Sequence, residues 1–142
     1  MIKGIIFDLD GTLVRLPIKY DKIFTKLQDL FDTKDEFKPL IQTIVKKANN
    51  DSMIIEKAFN IICKEEVIAA NNFKVIDDSI DILNYFKNKN YLLCLVTMQC
   101  MKAAQIVLDK MQISELFSSI ITRDISSERS IQIKKSVDVL SF

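Results

Sequence analysis

Ile5-Ile6-Phe7-Asp8-Leu9-Asp10-Gly11-Thr12-Leu13-Val14 is the stretch on which the reading of this chain turns. Apolar residues run into two carboxylates one residue apart, and these are followed by a glycine and a hydroxyl. Alternate side chains of a strand share a face, so Asp8 and Asp10 are expected to project together at the strand's C-terminal end. Two carboxylates closing a buried strand are costly unless a cation or a chemical task compensates. Gly11 lets the chain turn sharply there, because glycine adopts positive φ without steric cost. Near-continuous apolarity over 1–10 predicts a strand buried on both faces, as in the middle of a parallel sheet.

Working outward, 18–31 has helical period, with Tyr20, Ile23, Phe24, Leu27, Leu30 and Phe31 recurring every three or four residues. Thr33-Lys34-Asp35-Glu36 reads as a capping box that opens a second helix, with Phe37, Leu40, Ile41, Ile44, Val45 and Ala48 as its apolar stripe and Pro39 in its first turns. Asp51 or Ser52 caps a third helix whose inward residues are Ile54, Ile55, Ala58, Phe59 and Ile62, leaving Lys64-Glu65-Glu66 exposed. Beyond Asn71-Asn72 the pattern changes to alternating helices and strands. A helix begins at Asp77, with Ile80, Leu83 and Phe86 inward, and a strand over 91–96 ends at Thr97. A helix over 99–111 carries Ala104, Val107, Leu108 and Met111 on one face. A short strand covers 118–122, and a last helix over 129–140 turns Ile133, Val137 and Leu140 inward. This alternation predicts an α/β fold with a parallel sheet and crossover helices, from which the helices of 17–74 stand apart as a small bundle.

Composition narrows the function. The chain has 142 residues, enough for one domain with an inserted lobe, and its hydrophobic content of 49% supplies a sizeable core. Twenty basic and nineteen acidic residues give a net charge of +1, which offers no electrostatic case for nucleic acid or an anionic membrane. The apolar run at the N-terminus is cut at Asp8, too soon for a secretory signal, and no run approaches the roughly 20 residues that span a bilayer. Cys63, Cys94 and Cys100 form no Cys-x-x-Cys pair, which predicts reduced thiols in a cytoplasmic protein. The chain has no histidine, so neither a histidine-based triad nor a histidine metal site can be built from it. With Gly4 and Gly11 its only glycines, a P-loop and a dinucleotide-binding fingerprint are excluded. Ligands of an open parallel sheet bind at the carboxyl ends of its strands, which gathers Asp8, Asp10, Thr97 and the residues after Thr122 at one mouth.

The motif Asp8-Leu9-Asp10-Gly11-Thr12 at the end of an apolar strand resembles the first motif of the haloacid dehalogenase-like hydrolases. Within that family the chain resembles the phosphoglycolate phosphatase-like members. The resemblance implies a Rossmann-like core of 1–16 and 75–142, whose three strands lie in the order 3-2-1, and an inserted α-helical cap over 17–74. It implies that Asp8 is a nucleophile forming an aspartyl-phosphate and that Asp10 is the general acid–base. Asp10 also argues against dehalogenation, since the family's dehalogenases lack that second aspartate. Asp8 and the Asp10 backbone carbonyl would hold Mg²⁺. Thr97, matching the second motif, would hold a phosphate oxygen with help from the Met98 N–H. Arg129 would take the place of the third-motif cation, with Lys134 and Lys135 one turn further on as alternatives. The implied function is Mg²⁺-dependent hydrolysis of a small phosphorylated metabolite, and a phosphosugar mutase would use the same aspartate pair.

The family's fourth motif, a Gly-Asp or acidic pair ending a fourth strand, has no expected counterpart, since no glycine follows Gly11 and no fourth strand is read after 118–122. The resemblance therefore implies a C-terminally truncated member, either a fragment of an active phosphatase or a shortened homologue that binds phosphate or a partner without turnover. In such a form the first strand becomes an edge, where unpaired backbone groups predict self-association. Asp124 follows the third strand, two strands from Asp8 on the far side, and is not expected to supply the absent carboxylate.

Overall fold

In the computed structural model, which describes residues 3–140, the apolar run before Asp8 forms β1 (Gly4–Phe7). Met1 and Ile2, the start of the expected strand, lie outside the described residues. β1 pairs in parallel with β4 (Leu92–Val96), and β4 pairs in parallel with β5 (Ser119–Ile121). The order β1-β4-β5 is the expected 3-2-1 arrangement. The central strand is β4, with Leu93, Cys94 and Leu95 fully buried. β1 is half-buried along its length rather than covered on both faces, because among the described residues it has a strand neighbour on one side only.

Three helices flank this sheet: α4 (Ser79–Asn88), α5 (Met101–Met111) and α6 (Arg129–Leu140). α5 buries Ala104, Val107, Leu108 and Met111, the expected face. α4 begins at Ser79 rather than Asp77, because Asp78 takes a left-handed conformation with φ of 65°. α6 turns differently from expectation. Ile133 and Val137 are 43% and 51% exposed, whereas Gln132 and Ser136 are buried. Carbonyls at the sheet's end decide this rotation, since the Gln132 amide donates to Thr97 O (3.0 Å) and Ser126 O (2.9 Å). Leu140 does face inward. A Cβ on Gly4 would lie 2.7 Å from Leu140 Cδ2, so glycine lets α6 approach β1.

Between β1 and α4 the chain forms β2 (Val14–Arg15), α1 (Tyr20–Phe31), α2 (Leu40–Ala48), α3 (Ser52–Ala70) and β3 (Lys74–Val75). β2 and β3 pair antiparallel, Val14 with Val75 and Arg15 with Lys74, so the helical lobe leaves and rejoins the sheet at one stem. Two-residue strands are too short to show a period, and the sequence did not predict them. The lobe has its own apolar cluster, including Ile23, Leu27, Phe37, Ile41, Ile44 and Ile62. The capping-box expectation fails. Thr33 Oγ1 accepts from the Asp35 N–H (3.1 Å) in a local turn, and α2 starts at Leu40 with Pro39 extended at its N-cap. A residue before proline is driven out of the helical region, so Lys38 cannot continue a helix into Pro39. Phe37 is buried from the loop instead.

α3 starts as expected, with Asp51 Oδ1 accepting from the Met53 and Ile54 N–H groups. It then runs from one core into the other. Ala58 and Ile62 belong to the lobe cluster, whereas Ala69 and Ala70 belong to the sheet cluster. Glu65 and Glu66 lie where the two meet and are buried, contrary to the expected exposed face. Among the described residues no helix is long and apolar enough to cross a membrane.

Candidate active site

The turn after β1 fixes both carboxylates through backbone groups. Leu9 O accepts from the Leu13 and Val14 N–H groups, and Gly11 turns the chain with φ of 83°. Leu9 is fully buried, and the aspartates on either side of it remain half-buried at the strand's end. The Leu9 N–H donates to Asp8 Oδ1 (2.8 Å), and the Leu16 N–H donates to Asp10 Oδ1 (2.9 Å). Each carboxylate is thus oriented by one oxygen and presents the other.

Arg129, at the start of α6, brings its Nη2 to 3.6 Å from Asp8 Oδ2, and its Nη1 donates to Val96 O (3.4 Å). Lys134 and Lys135 are exposed further along the helix, so Arg129 is the cation placed at Asp8. Thr97 directly follows β4 and is fully buried. Its hydroxyl donates to Gln99 Oε1 (3.0 Å) and accepts from the Gln99 N–H (3.2 Å). A phosphate oxygen bound by this hydroxyl would have to replace Gln99 Oε1. Met98 is half-buried, and its carbonyl accepts from Arg123 Nη1 (2.7 Å). Asp124 Oδ1 accepts from the Met101 N–H (3.1 Å) at the start of α5, a structural task away from Asp8.

Behind Thr97 lies a cluster that the sequence reading missed. Arg123 and Glu66 form a bidentate pair at 2.7 and 3.0 Å, with side chains only 2% and 3% exposed. Glu66 Oε1 also accepts from the Cys100 N–H (3.2 Å), and the Arg123 guanidinium lies 5.2 Å from the Phe59 ring centre. Cys63 and Cys100 are joined by a disulfide, with Cα atoms 5.6 Å apart, which corrects the expectation of reduced thiols. Cys94 is free and buried. A signal for Glu66 was present. The four-residue steps Ala58, Ile62, Glu66, Ala70 run along the buried stripe of α3, so a carboxylate there must find a cation.

Between lobe and sheet a cavity of about 240 Å³ opens, lined in part by Ile18, Tyr20, Ile41, Gln42, Met98 and Gln99. Burial raises the Tyr20 phenol above its ordinary pKa, and the negative charges of Asp10 and Glu66 raise it further. On the sheet side the cavity is reached from the Thr97 loop, since Met98 and Gln99 directly follow Thr97.

The donors at the mouth are all oxygens: the Asp8 and Asp10 carboxylates and the nearby backbone carbonyls. They suit a hard cation such as Mg²⁺, which keeps several waters and binds through one or two carboxylates together with substrate phosphate. Among the described residues the cluster of three candidate ligands lies elsewhere, at Cys63, Glu66 and Cys100. Its two sulfurs are bonded to each other, and its carboxylate is taken by Arg123.

Residues 5–135 match a family model described as haloacid dehalogenase-like hydrolase. Among proteins of curated function, none is significantly similar in sequence. Solved structures share the fold. CbbY from Rhodobacter sphaeroides, in complex with phosphate, superposes with a TM-score of 0.68 at 15% identity, covering 99% of this chain and 73% of its own. A predicted phosphatase from Clostridium acetobutylicum gives a TM-score of 0.67 at 20% identity, covering 99% of this chain and 71% of its own. A predicted phosphoglycolate phosphatase from Haemophilus somnus gives 0.54 at 17% identity, covering 90% of this chain. The match spans 64% of the length of that last protein.

Proposed function

This chain belongs to the haloacid dehalogenase-like hydrolases, and from that premise we propose that it is a phosphatase that hydrolyses small phosphate monoesters through Asp8. The observation that carries this reading is the setting of the Asp8 carboxylate. One oxygen is held by the Leu9 N–H, and the other faces the Arg129 guanidinium at 3.6 Å. A carboxylate presented this way is oriented for attack, and the guanidinium offsets charge on an incoming phosphate.

Asp8 Oδ2 forms a bond to phosphorus as the bond from phosphorus to the ester oxygen breaks. The departing oxygen takes a proton from the Asp10 carboxyl, leaving an aspartyl-phosphate on Asp8. Asp10, now a carboxylate, takes a proton from water, and that water attacks phosphorus, releasing phosphate and restoring Asp8. The Leu16 N–H keeps Asp10 in place through both transfers. The Thr97 hydroxyl turns from Gln99 to a phosphate oxygen, and the Met98 N–H assists it. The lobe of 17–74 acts as a cap that limits access of water. Mg²⁺, held by the Asp8 carboxylate and the Asp10 backbone carbonyl, would reduce repulsion between Asp8 and the phosphate.

The test is turnover of a chromogenic phosphate monoester with and without Mg²⁺, beside Asp8→Asn. The reading expects activity that needs both the metal and Asp8. Turnover unchanged by Asp8→Asn would refute it. A second reading, a phosphate-binding module without turnover, is favoured by the mouth offering the Asp8 and Asp10 carboxylates without a third acidic ligand clustered beside them among the described residues. It expects inorganic phosphate to bind in an Arg129-dependent way while no ester is cleaved.

A further inference from the structure

Resting on the phosphatase reading, we propose that the group released from phosphate is uncharged and largely apolar, an aryl or alkyl alcohol rather than a hydroxy acid or a second phosphate ester. On this reading the departing group occupies the cavity between lobe and sheet, which reaches the Thr97 loop through Met98 and Gln99. Its floor includes Met98 and Gln99, directly after Thr97, and its lobe side includes Ile18, Tyr20, Ile41 and Gln42. These side chains offer apolar surface with two amides, Gln42 and Gln99, and one phenol for hydrogen bonds.

Charge decides the class. A site that accepts a second anion needs a cation free to meet it. Of the described residues that line the cavity, Arg123 is the one cation. Both of its terminal nitrogens are engaged by Glu66, and Nη1 also donates to Met98 O. With Glu66 beside it, the pair adds no net charge to the wall. The Tyr20 phenol, raised first by burial and then by nearby negative charge, agrees with a wall that does not favour an anion. Size is consistent as well. A cavity of ~150 Å³ lined by aliphatic and aromatic groups takes a benzene molecule, and this one is about 240 Å³.

A matched pair of esters tests the proposal: 4-methylphenyl phosphate and 4-carboxyphenyl phosphate, which differ in charge more than in shape. The carboxylate does not make the phenol a poorer leaving group, so a preference for the methyl ester would reflect binding. The expected kcat/KM ratio is about tenfold or more in favour of the methyl ester, because like charges brought together without a partner are strongly penalised. Gln42→Lys, which places a cation on the lining, should shrink that ratio by several fold. Equal or better cleavage of the carboxylate ester would overturn the proposal, as would a ratio that Gln42→Lys leaves unchanged. If neither ester is turned over, the phosphatase reading fails separately, and dissociation constants of the same esters are read from the Met98 methyl resonance, identified with Met98→Leu. Tighter binding of the methyl ester would support an apolar subsite. Equal affinities, tighter binding of the carboxylate ester, or no binding of either would overturn it.

Discussion

Converting Glu66 to Gln should destabilise this protein severely although it changes hardly any volume. Glu66 and Arg123 are 57 residues apart in sequence and join the C-terminal part of α3 to the turn after β5. Both side chains are almost wholly buried, and their two nitrogen–oxygen contacts are short enough to be charge-assisted. Removing one partner of such a pair costs about 3–5 kcal/mol, because it strands the other charge away from water. Glu66→Gln leaves the Arg123 guanidinium with the Met98 carbonyl and a neutral amide, which places it near the lower end, about 3 kcal/mol. That figure is roughly a 150-fold drop in the folding equilibrium. Arg123→Met should cost a similar amount by stranding Glu66. The double variant should be far less destabilised than the sum, because two charges removed together leave none unpaired. Urea denaturation of the four proteins, with the disulfide intact, gives the cycle directly. Single variants within about 0.5 kcal/mol of the parent, or strictly additive losses in the double variant, would show that the pair is not buried as described.

The Cys63–Cys100 bond closes a loop across a sequence separation of 37, and loop-closure entropy assigns it about 4 kcal/mol. Reductant should lower the denaturation midpoint accordingly, and the Cys63→Ser, Cys100→Ser double variant should start at the lower midpoint and ignore reductant. Arg129→Ala should reduce kcat/KM for a phosphate monoester by about a hundredfold or more, on the scale of losing one charge-stabilising donor. Lys134→Ala, exposed on the same helix, should leave it nearly unchanged in the same steady-state assay. Tyr20 should ionise above the ordinary phenol range, near pH 10, in an ultraviolet absorbance titration, and Tyr20→Phe should remove the latest-ionising component. Because the folded-state value is raised, the corresponding stability is intact below the ordinary phenol pKa and is lost as pH rises through the folded one. The parent should therefore lose stability more steeply than Tyr20→Phe at alkaline pH.

Elements whose orientation follows from apolar burial could be read from the sequence. α5 buries its expected stripe, and the turn at Gly11 has the positive φ that the motif requires. Orientation set by polar partners could not. α6 shows the difference: Ile133 and Val137 look like an inward face, but the carbonyls of Thr97 and Ser126 need a donor, and Gln132 is the residue that reaches them. Glu66 is the same case in the lobe. Next to Lys64 and Glu65 it resembles a solvated helix face; its four-residue spacing from Ala58 and Ile62 puts it on the buried stripe, but the cation that meets it lies 57 residues away. The disulfide depends on the same meeting of α3 with the start of α5, which spacing along the chain does not reveal.

These unforeseen contacts converge on one loop. Gln132 holds the Thr97 carbonyl from α6, Glu66 holds the Cys100 N–H from α3, and Asp124 holds the Met101 N–H from the segment after β5. Arg123 closes the set by binding the Met98 carbonyl and Glu66 together. Donors aimed at a phosphate are effective when they need not reorganise during reaction, and that demands backbone fixed by groups beyond those touching substrate. A loop tied independently to three elements meets that demand, whereas Asp8 and Asp10 are each oriented by a single backbone N–H. On the proposed function, the rigid half of the site is thus the Thr97 loop backbone, and the half left free to respond to phosphate and metal is the aspartate pair.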